Sequence, residues 1–258
     1  MSGELTGNFP VGAQAIAVRR VPDDQPWRWL QAGWQDLCRA PRVSLSYGAG
    51  IVAISYALAI GLWQAGLIYL VLPLAGGFLL VAPLLAIGLY DTSRRLQAGE
   101  PVGLRISLTS WRRPVAIGSF GIVLLLLHFA WVRTALLWFV LYFHDGTPPL
   151  DAIPFYLIEA RNLPFLVIGT AMGAGFALLT FALSAISLPL LLNRDVDVVS
   201  AMGASLRAII ANPKAMALWA GLILFFTGVG LATFFVGLGV LFPLVAHASW
   251  HACRDIVR

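Results

Sequence analysis

The chain runs to 258 residues, of which 59% are hydrophobic and only 11% charged, where a soluble globular domain carries about 25% charged side chains. With a mean hydropathy of +0.84 it holds more apolar side chain than a folded surface in water could hide, which excludes an ordinary soluble fold and makes lipid its main solvent. The net charge of +5 comes from 16 arginines and Lys214 dispersed along the chain, a pattern suited to a membrane surface and not to a nucleic-acid partner.

Residues 1–24 are polar and small and read as a flexible cytoplasmic tail. The basic pair Arg19 and Arg20 follows the mildly apolar stretch 9–18 instead of preceding it, the reverse of a cleaved signal peptide. Residues 25–255 read as a single membrane domain. Six apolar runs follow, over about 44–63, 67–90, 115–134, 164–192, 215–230 and 231–250. Each approaches the 20 or so residues a spanning helix needs. Helix is the state expected of each, because unpaired backbone groups in hydrocarbon are prohibitively costly and no barrel-type alternation is present.

Lysine and arginine fall unevenly between these runs. Arg19, Arg20, Arg28, Arg39 and Arg42 precede the first, and Arg94, Arg95, Arg105, Arg112 and Arg113 lie between the second and third. Arg194, Arg207 and Lys214 separate the fourth from the fifth, and Arg254 and Arg258 follow the sixth. Fifteen of the 17 cations thus share one face, which the positive-inside rule assigns to the cytoplasm together with both termini. The opposite face has uncharged turns near 64–66 and 228–230 and one loop, 144–163, with Asp145, Asp151, Glu159 and Arg161. Cys38 and Cys253 fall on the reducing side and are expected as free thiols. Arg133 sits late in the third run, before the apolar string ALLWFVLYF. It is read as snorkelling to the outer boundary, the following segment lying in the outer leaflet or on the bundle; a buried functional arginine is the alternative.

A threefold internal repeat is also legible. Pro83 and Pro243 each precede an aromatic by seven residues, Tyr90 and Trp250, and an arginine by eleven, Arg94 and Arg254; the fourth run leaves at Arg194. Before each pair of runs lies an amphipathic stretch closed by proline: WRWLQAGWQDLCRAP to Pro41, LRISLTSWRRP to Pro114 and VSAMGASLRAIIANP to Pro213. Trp27, Leu30, Trp34 and Leu37 keep helical spacing, as do Leu104, Leu108 and Trp111, and Val199, Met202, Leu206 and Ile209. These are expected to be interfacial helices lying on the cytoplasmic leaflet. The fold class expected is therefore an all-α membrane protein of three two-span hairpins, each introduced by a surface helix. The repeat units cover about 25–97, 101–195 and 196–255 and are related by a pseudo-threefold axis. Glycines inside the runs, as in GTAMGAG at 169–175, suit close helix approach.

The strings GLYDTSRRLQAGEP from Gly88, LPLLLNRDVD from Leu188, ANPKAM from Ala211 and PLVAHASWH from Pro243 resemble DUF2189, a family of bacterial integral membrane proteins, over about residues 25–255. The resemblance implies a multi-pass protein of the bacterial inner membrane. It brings no assigned activity, although some members carry a label relating them to cytochrome c oxidase.

Candidate chemistry is sparse. His247 and His251 are four residues apart on one helical face and could bind a metal or haem, with His128 on another run as a third ligand; hydrogen bonding between helices is the competing use. Arg94, Arg194 and Arg254 stand at equivalent exits and could converge on one anionic lipid phosphate. Asp91 lies three residues before Arg94, at intrahelical pairing distance. No phosphate loop, GxSxG elbow, CxxC pair, CxxCH or HExxH motif is present. The sequence therefore suggests a non-enzymatic component without cofactor that binds membrane lipid or another membrane protein. A small-solute transporter or channel, and a haem or copper protein of respiratory assembly, are the alternatives.

Overall fold

The computed structural model describes residues 16–67, 70–109, 113–143 and 159–257. The described chain is helical: α1 Gln25–Arg39, α2 Pro41–Gln64, α3 Val71–Leu85, α4 Ile87–Ala98, α5 Leu104–Leu108, α6 Pro114–Tyr142, α7 Leu163–Ser184, α8 Ser187–Asn193, α9 Val198–Ala211, α10 Pro213–Ala232 and α11 Leu238–Ile256. Helices α3 and α4 continue one another with a break at Ala86, and α7 and α8 with a break before Ser187. The second break begins at Ala185, four residues before Pro189, where a proline ring displaces the carbonyl it cannot bond.

Five described helices are long and apolar enough to cross a membrane: Pro41–Gln64, Pro73–Ala98, Pro114–Tyr142, Leu163–Asn193 and Pro213–Ala232. The expected sixth run, 231–250, is divided. Leu231 and Ala232 finish α10, a turn with Phe234 and Phe235 at positive φ follows, and α11 begins only at Leu238. Helix α11 is less apolar than the other five, and twelve of its nineteen residues are buried against the rest of the protein. It packs against α1, α2, α4 and α10. The third run is longer than expected. Helix α6 continues unbroken through Arg133 to Tyr142; Trp138, Phe139 and Tyr142 pack against Phe165 of α7, so the segment packs on the bundle, and Arg133 is exposed and not buried.

Two of the three expected surface helices, α1 and α9, are full-length. Of the third, five of the described residues form helix, in α5, and residues 110–112, Trp111 and Arg112 among them, lie outside the described residues. The three elbows that follow share one backbone conformation. Ala40 has φ −125° and ψ 53°, Arg113 −142° and 69°, and Asn212 −133° and 54°, each followed by a proline in the next helix's first turn. Proline lacks the N–H that a first turn leaves unpaired anyway, and it steers its predecessor out of the α region.

The face α1 turns to the bundle takes in Leu30 and Leu37 of the amphipathic stripe but not its two tryptophans. Trp29, Leu30, Gly33, Asp36 and Leu37 are buried, whereas Trp27 and Trp34 are exposed. Close backbone approach sets this seam: a Cβ on Gly33 would lie 2.7 Å from the Ala248 nitrogen of α11. A matching approach joins α2 to α11, where a Cβ on Gly48 would overlap the Gly239 carbonyl oxygen. Neighbours in space are not always neighbours in sequence, since α2 takes α11 and α3 takes α6 as principal partner. Of the expected tail, residues 1–15 lie outside the described residues. Residues 16–24 are held at the far end of α11, with Val18 bridging Val257 and the Arg19 N–H donating to the Ile256 carbonyl at 2.8 Å. The loop residues His144, Asp145 and Asp151, and Arg258, are likewise outside the described residues.

Candidate functional site

The cation-rich segments meet at one end of the bundle, around the last turns of α11. Gln25 and the Trp29 indole both donate to Asp255 Oδ2, at 2.7 and 2.8 Å. Asn212 donates to the Arg19 carbonyl at 2.9 Å and accepts from the Val21 N–H at 2.8 Å. These bonds tie the chain before α1, the α9–α10 elbow and α11 into one layer.

Both candidate histidines of α11 point into that layer. His247 is fully buried, with Nε2 2.9 Å from the Ser44 hydroxyl of α2 and Nδ1 2.7 Å from the Ser93 hydroxyl of α4. His251 Nε2 lies 2.8 Å from Asp36 Oδ2, and Gln97 Nε2 donates to His251 Nδ1 at 3.2 Å. The Trp250 indole donates to the other end of the Gln97 amide at 3.0 Å. Ser93 also bonds Asp36, so an unbroken polar chain runs from Ser44 to Trp250 through α1, α2, α4 and α11. Burial pushes the Asp36 carboxyl up, and the hydrogen bonds from His251 and Ser93 more than reverse this, holding it below its ordinary value. All four imidazole nitrogens are thus engaged by protein groups. His128 stands apart, its Nδ1 3.2 Å from the Gly77 carbonyl between α3 and α6. Among the described residues no group of three His, Cys, Asp or Glu side chains is placed to hold a metal ion.

The three exit arginines have unlike surroundings. Arg94 gives Nε to Asp91 at 2.7 Å and both terminal nitrogens to the Glu100 carboxylate at 2.9 Å each, leaving its side chain 11% exposed. Arg95 shares Asp91 at 2.6 Å. The Arg194 carbonyl accepts from Arg113, which also pairs with Asp195, and Arg254 is exposed on α11. Arg194 and Arg254 both lie within electrostatic reach of Cys253. Of the two thiols, Cys38 is exposed and Cys253 buried, its Sγ 3.7 Å from the Ile186 carbonyl.

A cavity of about 1050 Å³ opens between α3, α6, α7, α10 and α11, at the upper end of the range for small-molecule sites. Its walls are apolar, and none of the described residues lining it is charged. Its polar side chains include Tyr90, Thr170, Thr180, Ser184, Trp219, Thr227 and Ser249. Thr180 Oγ1 and Trp219 Nε1 are buried without a hydrogen-bond partner, their residues 2% and 1% exposed.

The same helices carry a recognisable family signature. Residues 71–193 match the family model described as "Predicted integral membrane protein (DUF2189)". The chain is a multi-pass integral membrane protein. No curated protein and no solved structure matches it. The DUF2189 match spans α3 to α8, within the wider extent of about 25–255 read from the sequence motifs. It takes in Asp91, Arg94 and three walls of the cavity; Trp219, His247, His251 and Arg254 lie beyond it.

Sequence reasoning missed the cavity and most of the histidines' partners. Ser44, Ser93 and Gln97 had no pattern to mark them. Asp36 did carry a signal: it is a lone carboxylate between Gly33 and Leu37 on a helix otherwise read as amphipathic.

Proposed function

We propose that this protein is a non-enzymatic, lipid-binding component of the bacterial inner membrane that houses one lipid-like molecule between α7 and α10. The observation that carries this reading is the cavity: large, apolar, uncharged in its lining, and enclosed by four of the five helices fit to cross the membrane together with α11. Lipid tails are the apolar molecules available at that depth. A path for a small polar solute would need polar walls, which favours storage or sensing of a lipophile over solute transport.

In this reading α11 is the sixth crossing, both termini are cytoplasmic, and the three surface-helix, elbow and span units are related by a pseudo-threefold axis. The shared elbow conformation and the gathering of cationic segments at one end support it. Arg194 and Arg254 contact anionic headgroups at the inner rim, while Arg94 is an internal ion-pair residue held by Asp91 and Glu100. Exposed Trp27 and Trp34 anchor α1 at the headgroup level.

Gly221 lines the cavity, and no heavy atom lies within 4 Å of where its Cβ would sit. Gly221→Phe therefore fills space without a clash. Lipid extracted from purified protein and quantified by mass spectrometry should fall in this variant from about one tightly held molecule per chain to near none. Equal lipid in both proteins would overturn the reading.

A further inference from the structure

The cavity is longer than one leaflet of a bilayer is deep. Two of its walls run its whole length. Along α3 and α4 the lining residues extend from Val71 to Tyr90, and along α7 from Phe165 to Ser184. Each stretch covers nineteen helical steps, about 28 Å at a rise of about 1.5 Å per residue. The hydrocarbon core of a bilayer is about 30 Å thick, so a tail anchored at either surface fills only about 15 Å of it. The other walls divide the length between them: Trp131 to Phe139 of α6 line the part away from the cation-rich layer, and Ala217 to Thr227 of α10 the part towards it.

Phospholipid tails meeting from opposite leaflets would also cover that length, but each brings a headgroup to its own rim. The rim away from the cation-rich layer offers such a group no partner. Val71, Pro73, Trp138 and Phe165 line it without a charge or a hydroxyl. The Trp138 indole already donates to the Phe165 carbonyl at 3.1 Å, and the Trp131 indole to the Pro73 carbonyl at 2.8 Å. None of the described lining residues is charged at any depth, so a phosphate drawn inside would stay uncompensated. What fits is one uninterrupted apolar chain whose tip reaches the far rim.

Building on the lipid-binding reading, we infer that the occupant is a polyprenyl lipophile whose single chain threads both leaflets. Polyprenyl chains reach this length, whereas the acyl tails of a phospholipid stay within their own leaflet.

The test is equilibrium binding to the delipidated full-length protein in detergent. The probes are radiolabelled ubiquinones with two or eight isoprene units and dioleoylphosphatidylglycerol. Two substitutions each shorten the cavity. Gly221→Phe fills the part lined by α10, and Gly169→Leu fills the part lined by α6, where its Cβ meets only Trp138 at an ordinary 3.5 Å. In wild type the eight-unit probe should bind one to one and about tenfold tighter than the two-unit probe. Either substitution should erase that preference by weakening the eight-unit probe about tenfold, the scale of hydrocarbon excluded from an apolar pocket. The two-unit probe keeps the open half and should bind both variants as it binds wild type, which also shows that they are folded. Partitioning into detergent is common to the three proteins and cancels in the comparison. Should one variant lose both probes, the other carries the comparison. The inference is overturned if wild type does not prefer the longer chain, if the preference persists in a folded variant, or if phosphatidylglycerol displaces the eight-unit probe two for one. In each case lipid still binds and the lipid-binding reading survives. If no probe binds and no lipid copurifies, that reading itself fails.

Discussion

Gly48→Ala tests how the central helix is held. A Cβ at Gly48 would fall well inside 3.0 Å of the Gly239 carbonyl, a backbone atom that cannot swing aside, so α2 and α11 must part by about 1 Å. A gap of that size forfeits a quarter to a half of each dispersion contact along the seam, and overpacking of this kind costs about 1–3 kcal/mol. The damage spreads because of register. Ser44 lies one turn before Gly48 on α2, and His247 lies two turns after Gly239 on α11, so the same seam carries their 2.9 Å hydrogen bond. Parting the helices stretches that bond beyond useful range and leaves a fully buried imidazole nitrogen unpaired, a further ~1–3 kcal/mol. The expected total is about 2–6 kcal/mol, read by SDS-titrated unfolding in mixed micelles followed by circular dichroism. Gly50→Ala is the matched control: same helix, two residues on, with nothing within 4 Å of its Cβ. It should be neutral or gain up to ~1 kcal/mol in helix propensity. If Gly48→Ala unfolds at the same SDS fraction as Gly50→Ala, the close approach of α2 and α11 is wrong.

Four further outcomes follow from the layer around the last turns of α11. Asp91→Asn should destabilise by about 3–5 kcal/mol in the same unfolding assay, because it leaves Arg94 and Arg95 without their fully buried shared carboxylate. Asp195→Asn, whose carboxylate is 95% exposed, should change stability by less than ~0.5 kcal/mol. The depressed Asp36 carboxyl contributes stability that is complete above its ordinary value of 3.8 and is lost as pH falls through its lower folded value. A melting-temperature profile from pH 6 downward should show that acid limb in wild type and a flatter one in Asp36→Asn; parallel profiles would remove Asp36 from the network. Maleimide should modify Cys38 and spare Cys253 in the folded protein. In sealed right-side-out vesicles an impermeant reagent should reach Cys38 only after lysis, and labelling without lysis would reverse the proposed orientation.

What could be read from sequence followed from strong, local signals. Hydrophobic run length found the five helices long and apolar enough to cross a membrane, and proline spacing found elbows whose dihedrals agree within about 20°. The extra turns of α6 after Arg133 were hidden because a single arginine reads as a boundary, whereas on an exposed face its side chain can reach water without ending the helix. The seam between α1 and α11 left no mark in the sequence because Gly33, where the backbone of α11 approaches, adds nothing to a hydrophobic pattern. Helix α11 was placed among the spans by average apolarity. Its buried His247, Ser249 and Cys253 are matched by protein partners that lie distant in the chain, and periodicity carries no information about those. The cavity was invisible for the same reason: its walls come from five helices whose apolar residues read as lipid-facing or core until their packing is known.

The most direct test of lipid occupancy is an experimental density map of the full-length protein in lipid nanodiscs. It should show one elongated density between α7 and α10. A bundle with α7 closed directly onto α10 and no space between them would contradict it.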